Sequence, residues 1–360
     1  MAMLVYVGTF TEPGGAEGIY LYRLDSATGA LAPIHTVAGL NSPTWVALHP
    51  SRRYLYAVER HVDDDGLRTG AVTAFAVEPE TGRLSLLNRR PSYGVSPCYV
   101  SIHPSGRYAF AANYQSGHVA ALPIGPDGQL GDATSVHHHQ GSGPVARRQE
   151  GPHAHFITPD PAGRFVLACD LGIDKIMIYR FDPSNGTLEP NDPPFGAAPL
   201  GSGPRHLAFH PSGRFAYVIN ELASTMSAYA YDVTRGALEL IETISTLPAG
   251  FSGSSSGAQV VVHPSGQYVY GSNRGHDSIA IFRIDQQSGR LTPLGHQPTQ
   301  GRTPRNFNLD PSGSLLLAAN QQSGSIVAFR VNAQTGGLTP TGAVTPVPAP
   351  VCIVFHELPD

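Results

Sequence analysis

Five short segments carry side chains able to do chemistry on a small anion. GPHAH holds His153 and His155, GPRH holds Arg205 and His206, and YVINE ends in Asn220 and Glu221. GSNRGHDS holds Asn273, Arg274, His276 and Asp277, and TPRNF holds Arg305. A guanidinium presents a fixed fork of donors that fits a carboxylate or a phosphate. A histidine or glutamate beside it can move protons near neutral pH. The expected substrate is therefore a small anion, held by cations beside groups that can move its protons. Glu221, His153 or His155 is the expected base, and Arg205 and Arg274 the expected cations.

Repeats position these segments. A turn followed by a strand occurs as HPSRRYLYAVE (49–59), HPSGRYAFAAN (103–113), DPAGRFVLACD (160–170), HPSGRFAYVIN (210–220), HPSGQYVYGSN (263–273) and DPSGSLLLAAN (310–320). Proline second and glycine fourth suit a tight turn, and the apolar run that follows suits a strand. A hairpin of the form D-x-x-x-G-x-L is the second repeat. Its copies are DSATGAL, EPETGRL, the shorter GPDGQL, DPSNGTL, DVTRGAL, DQQSGRL and NAQTGGL. Seven hairpins against six turns predict an all-β, seven-bladed β-propeller filling 1–360 as one domain, with four antiparallel strands per blade. The unmatched hairpin belongs to a blade shared by the two chain ends, in which PVCIVFHEL supplies the strand before LVYVGTF. Segment 131–150 reads as a surface insertion, and 247–257 as a second flexible loop.

In this scheme the strand before each turn starts, and the strand after it ends, at one face. The ends are Glu59, Asn113, Asp170, Asn220, Asn273 and Asn320, with Thr9 in the closing blade. The starts are Thr44, Cys98, His155, Arg205, Ala258 and Arg305, and Arg60, Tyr114, Glu221, Arg274 and Gln321 follow the ends. Polar residues at strand ends often only cap turns. Arginines, histidines and carboxylates gathered at one mouth point instead to a binding site. Glu59, Asp170, Asn220, Asn273, Arg305 and Asn320 are therefore expected to bind substrate.

Other chemistries are disfavoured. The net charge of −4 lacks the basic face that nucleic acid demands, and Lys175 is the single lysine, which excludes Schiff-base or P-loop chemistry elsewhere. Cys98, Cys169 and Cys352 lie in apolar runs and read as small buried hydrophobes. The MAMLVYVGTF opening has no basic leader and no long apolar run, so a cytoplasmic protein is expected. GSSSG (253–257) lacks the strand-turn-helix setting of a nucleophile elbow. His137, His138 and His139, or the pair His153 and His155, could hold a metal, but no further ligand is evident. Asp63, Asp64, Asp65 and Gly66 lack the rest of a calcium loop and read as a solvated turn. Neither metal nor cofactor is expected.

Together YVGTF, GPHAH, GPRH, YVINE and SNRG resemble the bacterial lactonase propellers, the group of propeller-type 6-phosphogluconolactonases and carboxymuconate-lactonizing enzymes. The likeness spans residues 4 to 356. It implies a metal-independent site for sugar-acid lactones or muconolactone-type acids. It also implies a site of one histidine (His153 or His155), Glu221, Arg205 and Arg274. A lactonase for 6-phosphogluconolactone is the leading expectation, a cycloisomerase of aromatic catabolism the next, and a non-enzymatic binding propeller the third.

Overall fold

The computed structural model describes residues 3–12, 15–62 and 68–358, so the Asp63–Gly66 turn lies outside the described residues. Among them, 28 strands form seven four-stranded antiparallel sheets, and no helix is long and apolar enough to cross a membrane. One blade runs outward through Pro204–Phe209, Phe215–Asn220, Thr225–Asp232 and Ala237–Ser245. The seven innermost strands pack against one another in a ring. The closing blade is built as expected: Pro350–Glu357 is innermost and pairs with Met3–Thr9, followed by Gly18–Leu24 and Leu31–Ala38. No sheet edge is therefore left open between the chain ends.

The second strand of each blade explains the apolar runs. Tyr108–Asn113, Phe165–Asp170, Phe215–Asn220 and Leu315–Asn320 are buried at every position, because each sheet is covered on both faces by its neighbours. The outermost strands, such as Leu31–Ala38, are half exposed. The apolar core divides into seven clusters, each between two adjacent blades. Truncating a core aromatic such as Phe110 should cost about 3–5 kcal/mol.

Polar rivets join the blades on the face opposite the expected site. The turn histidines His49, His103, His210 and His263 each bond through Nε2 to the glycine carbonyl of the next blade's turn, at 2.8–3.0 Å. Further out, Tyr6, Tyr56, Tyr217 and Tyr270 donate their hydroxyls to the glycine carbonyl of the neighbouring hairpin. That glycine has no substitute. At Gly82 φ is +72°, and a Cβ would sit 2.2 Å from Leu4 Cδ1.

Candidate active site

At the start of the innermost strands the ladder slips by one residue. Pro204 pairs with Asn220 but His206 with Ile219, which leaves Arg205 in a bulge. The same slip frees Cys98, His155 and Arg305 in their blades. A bulge re-aims the extra side chain and leaves it unpaired. Here the re-aimed side chains meet on the propeller axis. Thr44, Cys98, His155, Arg205, Arg305 and Val351 line a cavity of about 260 Å³. Phe10, Tyr114 and Gln115, which follow the ends of second strands, and Arg60, inside the longer second strand Tyr54–Val62, add to its wall together with Trp45 and His206. Trp45 stacks on Tyr99 at 4.1 Å, and His206 stands edge-on to both rings.

The residues one pairing away behave differently, which corrects the expectation that they bind substrate. Asn273 takes both bonds from Thr246: Nδ2 donates to its carbonyl at 2.7 Å and Oδ1 accepts from its hydroxyl at 2.7 Å. Asn320 donates to the Thr299 carbonyl, and Asn220 to the Thr225 and Ser227 hydroxyls. Glu59 is held by Thr73 and by Arg89 at 3.0 Å. Asp170 accepts from His139 Nδ1 at 2.6 Å and from the backbone of His153 and Gly172. All five are buried, and none stands in the cavity wall. Each is hydrogen-bonded to protein, with only Asn220 Oδ1 and Asn320 Oδ1 lacking a partner among the described residues.

Glu221 and Arg274 lie outside the wall and support it. The Glu221 carboxylate takes Arg205 Nε at 2.9 Å and Arg274 Nη2 at 2.8 Å on one oxygen, and Arg148 on the other. Burial alone would raise its pKa, but the Arg274, Arg205 and Arg305 charges and the Arg148 hydrogen bond hold it well below the carboxylate range. A carboxylate so satisfied is a poor proton acceptor, which argues against Glu221 as the base. Arg148 comes from 131–150, so that segment is more than a surface insertion. Ser135–His138 is the outermost strand of its blade, and the chain then returns to place Arg148 on Glu221.

The histidines separate clearly. His155 is buried and lines the cavity, and its Nδ1 has no hydrogen-bond partner among the described residues. Burial, then the Arg205, His206 and Arg305 charges, push its pKa well below 6.5, so it is neutral at pH 7. His206 bonds through Nδ1 to Gln259 and presents Nε2 to Arg205 Nη1 at 3.2 Å, so it orients the arginine. His153 stacks on Tyr114 at 4.7 Å and bonds the Tyr114 carbonyl, outside the wall. Among the described residues no three His, Cys, Asp or Glu side chains gather as a metal cage. His139 is committed to Asp170, His137 bonds the Leu188 carbonyl, and His138 stacks on His118. Sequence reasoning missed Arg148, Phe10 and Arg60 as site residues. Phe10 and Arg60 were accessible, because each directly follows the polar residue, Thr9 or Glu59, at one position of the repeat.

Fold and cavity together define a propeller whose axial mouth is an enclosed, cationic pocket for a small molecule. Residues 4–355 match the family described as lactonase, 7-bladed beta-propeller, and the chain belongs to that family of hydrolases acting on lactone ester bonds. It is 40% identical over 354 residues to the 6-phosphogluconolactonase of Bacillus subtilis (strain 168), covering 98% of both chains. The 6-phosphogluconolactonase of Formosa agariphila is 31% identical over 309 residues, 85% of this chain and 86% of that one. Among solved structures, the periplasmic gluconolactonase of Pseudomonas aeruginosa superposes with a TM-score of 0.93 at 33% identity, covering 100% of each chain.

Proposed function

We propose that this protein hydrolyses a small anionic sugar-acid lactone, 6-phosphogluconolactone, to 6-phosphogluconate. The observation that carries the reading is the axial cavity, where Arg60, Arg205 and Arg305 converge on a buried neutral imidazole. The relatives in Bacillus subtilis and Formosa agariphila support the choice of a phosphorylated substrate. Charge keeps such a substrate inside the cell, which is consistent with a cytoplasmic enzyme.

His155 serves as the base in this reading. Water held at the cavity-facing edge of the imidazole attacks the lactone carbonyl carbon, and the imidazole takes the proton. Arg205 has spent Nε on Glu221 and Nη1 on the Ala258 carbonyl and His206, which leaves the two N–H groups of Nη2 for the oxyanion. The carbon–ring-oxygen bond then breaks, and the departing alkoxide takes the proton from His155. Glu221, Arg274 and Arg148 keep Arg205 in place.

The test is acid release from freshly made 6-phosphogluconolactone, measured above the spontaneous rate. Wild-type protein should accelerate it strongly, and His155→Gln should lose about 100-fold or more. A folded His155→Gln with normal turnover would remove His155 from the role. No acceleration by wild type on this lactone or on unphosphorylated aldonolactones would remove the lactonase reading, and carboxymuconate would be the next substrate tried.

A further inference from the structure

Two cations of the cavity have no carboxylate partner of their own among the described residues. Arg60 lies within the second strand of its blade, Tyr54–Val62, and Arg305 fills the bulge of another. Both guanidinium carbons stand over the same ring, that of Phe10, at 5.2 and 5.4 Å from its centroid. Among the described residues neither makes a carboxylate pair, because the nearby Glu221 is already shared by three other guanidiniums. Burial and then the Arg274 charge push the Arg305 pKa down to about 10, the mark of a cation short of anions.

The surroundings fix where an anion would settle. Phe10 and Arg60 belong to two spaces at once: the axial cavity, and a wider outer pocket of about 550 Å³. The outer pocket carries the Glu12 carboxylate together with neutral Gln321, Gln322 and Ser323. Glu12 disfavours an anion farther out. Farther in, Arg205 is half neutralised by Glu221 and has most of its donors committed. The free positive charge is therefore concentrated at the boundary, on the ring of Phe10. A phosphate monoester there meets two unspent guanidinium forks while staying partly hydrated, which limits its desolvation.

We propose that Arg60 and Arg305, anchored over Phe10, seat the distal phosphate of the substrate, so that the lactone ring points inward to His155 and Arg205. This assignment rests on the lactonase reading above and gives it a direction. It makes Arg60 a determinant of specificity for phosphorylated over unphosphorylated sugar lactones.

The experiment compares wild type with Arg60→Met and Arg305→Met, which keep much of the side-chain volume. The readout is the ratio of kcat/KM on 6-phosphogluconolactone to kcat/KM on gluconolactone. A merely structural role would lower both values together and leave the ratio in place. The ratio should fall about 10-fold or more in each variant, as expected for a lost charged hydrogen bond, and Arg60→Lys should restore part of it. An unchanged ratio would overturn the proposal. Titration of all three proteins with 6-phosphogluconate and with gluconate judges the seat independently of turnover. Binding of 6-phosphogluconate should weaken at least 10-fold in both variants, and equal binding in all three proteins would overturn it. If wild type hydrolyses neither lactone, the lactonase reading fails, and the titration still decides whether the phosphate seat exists.

Discussion

Two rings of residues lie one pairing apart at the same end of the propeller and have opposite fates. The ends of the second strands, such as Asn220, Asn273 and Asn320, are sealed and bonded to protein. The starts of the innermost strands, such as His155, Arg205 and Arg305, look onto the axis. Residue type does not separate them, since both rings are rich in polar side chains. Local backbone does. A ladder residue faces a neighbouring blade, where a polar group must find a partner in the wall. A bulged residue turns off the ladder toward open space, where its partner can be a ligand. Shared polarity at one end of a repeat fold therefore mixes fasteners with chemistry, and register sorts them.

The comparison is broken most directly by exchanging the consequences. Arg205→Met should lower kcat/KM by about 100- to 1000-fold, the usual effect of losing an oxyanion donor, with thermal unfolding showing the variant still folded. Asn273→Ala should do the reverse. It removes two buried hydrogen bonds to Thr246, whose hydroxyl keeps the Ser224 carbonyl and whose carbonyl keeps His296, so denaturant unfolding should show a loss of about 1–3 kcal/mol, with kcat/KM on the same lactone within about twofold. Full loss of activity in a folded Asn273→Ala would merge the two rings.

Glu221→Gln sits between the rings and should show both effects. Removing the shared counter-ion leaves Arg205 and Arg274 without their carboxylate, at a cost of about 3–5 kcal/mol in unfolding free energy. Activity should fall because Arg205 loses its anchor. A variant with wild-type stability would show that the three guanidiniums do not need Glu221.

The gentlest probe is pH. A depressed pKa means His155 stays neutral until the solution is more acidic than usual, so kcat/KM should hold down past pH 6.5 and fall only below it. Bound anion offsets the Arg205 and Arg305 charges and makes the imidazole more basic. The acid limb of kcat should therefore lie at higher pH than that of kcat/KM. A limb at or above pH 6.5 in kcat/KM would remove His155 from the role of base.

Much of the fold could be read directly from the chain, because repetition multiplies weak signals. One D-x-x-x-G-x-L hairpin means little, but seven at a steady spacing count the blades, and the unmatched one exposes the shared blade. Arg205, Arg305 and His155 were also legible, since they recur at one position of the repeat, with His153 two residues before it. The sequence could not separate His153 from His155. The two differ only in which one is freed by the bulge, and a slip of register has no residue signature here. Arg148 was out of reach for a different reason. It comes from the one stretch with no periodic counterpart, so nothing in the pattern says where its side chain lands. The ring of asparagines misled because burial and partnership, not residue type, decide whether an amide is free.

The pairing of Met3–Thr9 with Pro350–Glu357 also has a consequence for how the molecule comes into being. During synthesis six blades can collapse locally, each from strands adjacent in the chain. The seventh must wait, with Leu4, Val5 and Tyr6 exposing apolar surface, until the far end of the chain leaves the ribosome. Val351, which lines the cavity, arrives in that same late segment, and Phe10 donates its backbone N–H to the Ala349 carbonyl. Closing such a distant contact is slow and prone to capture by other chains. Translation speed and chaperone access should therefore govern the yield of active enzyme more than the stability of any single blade.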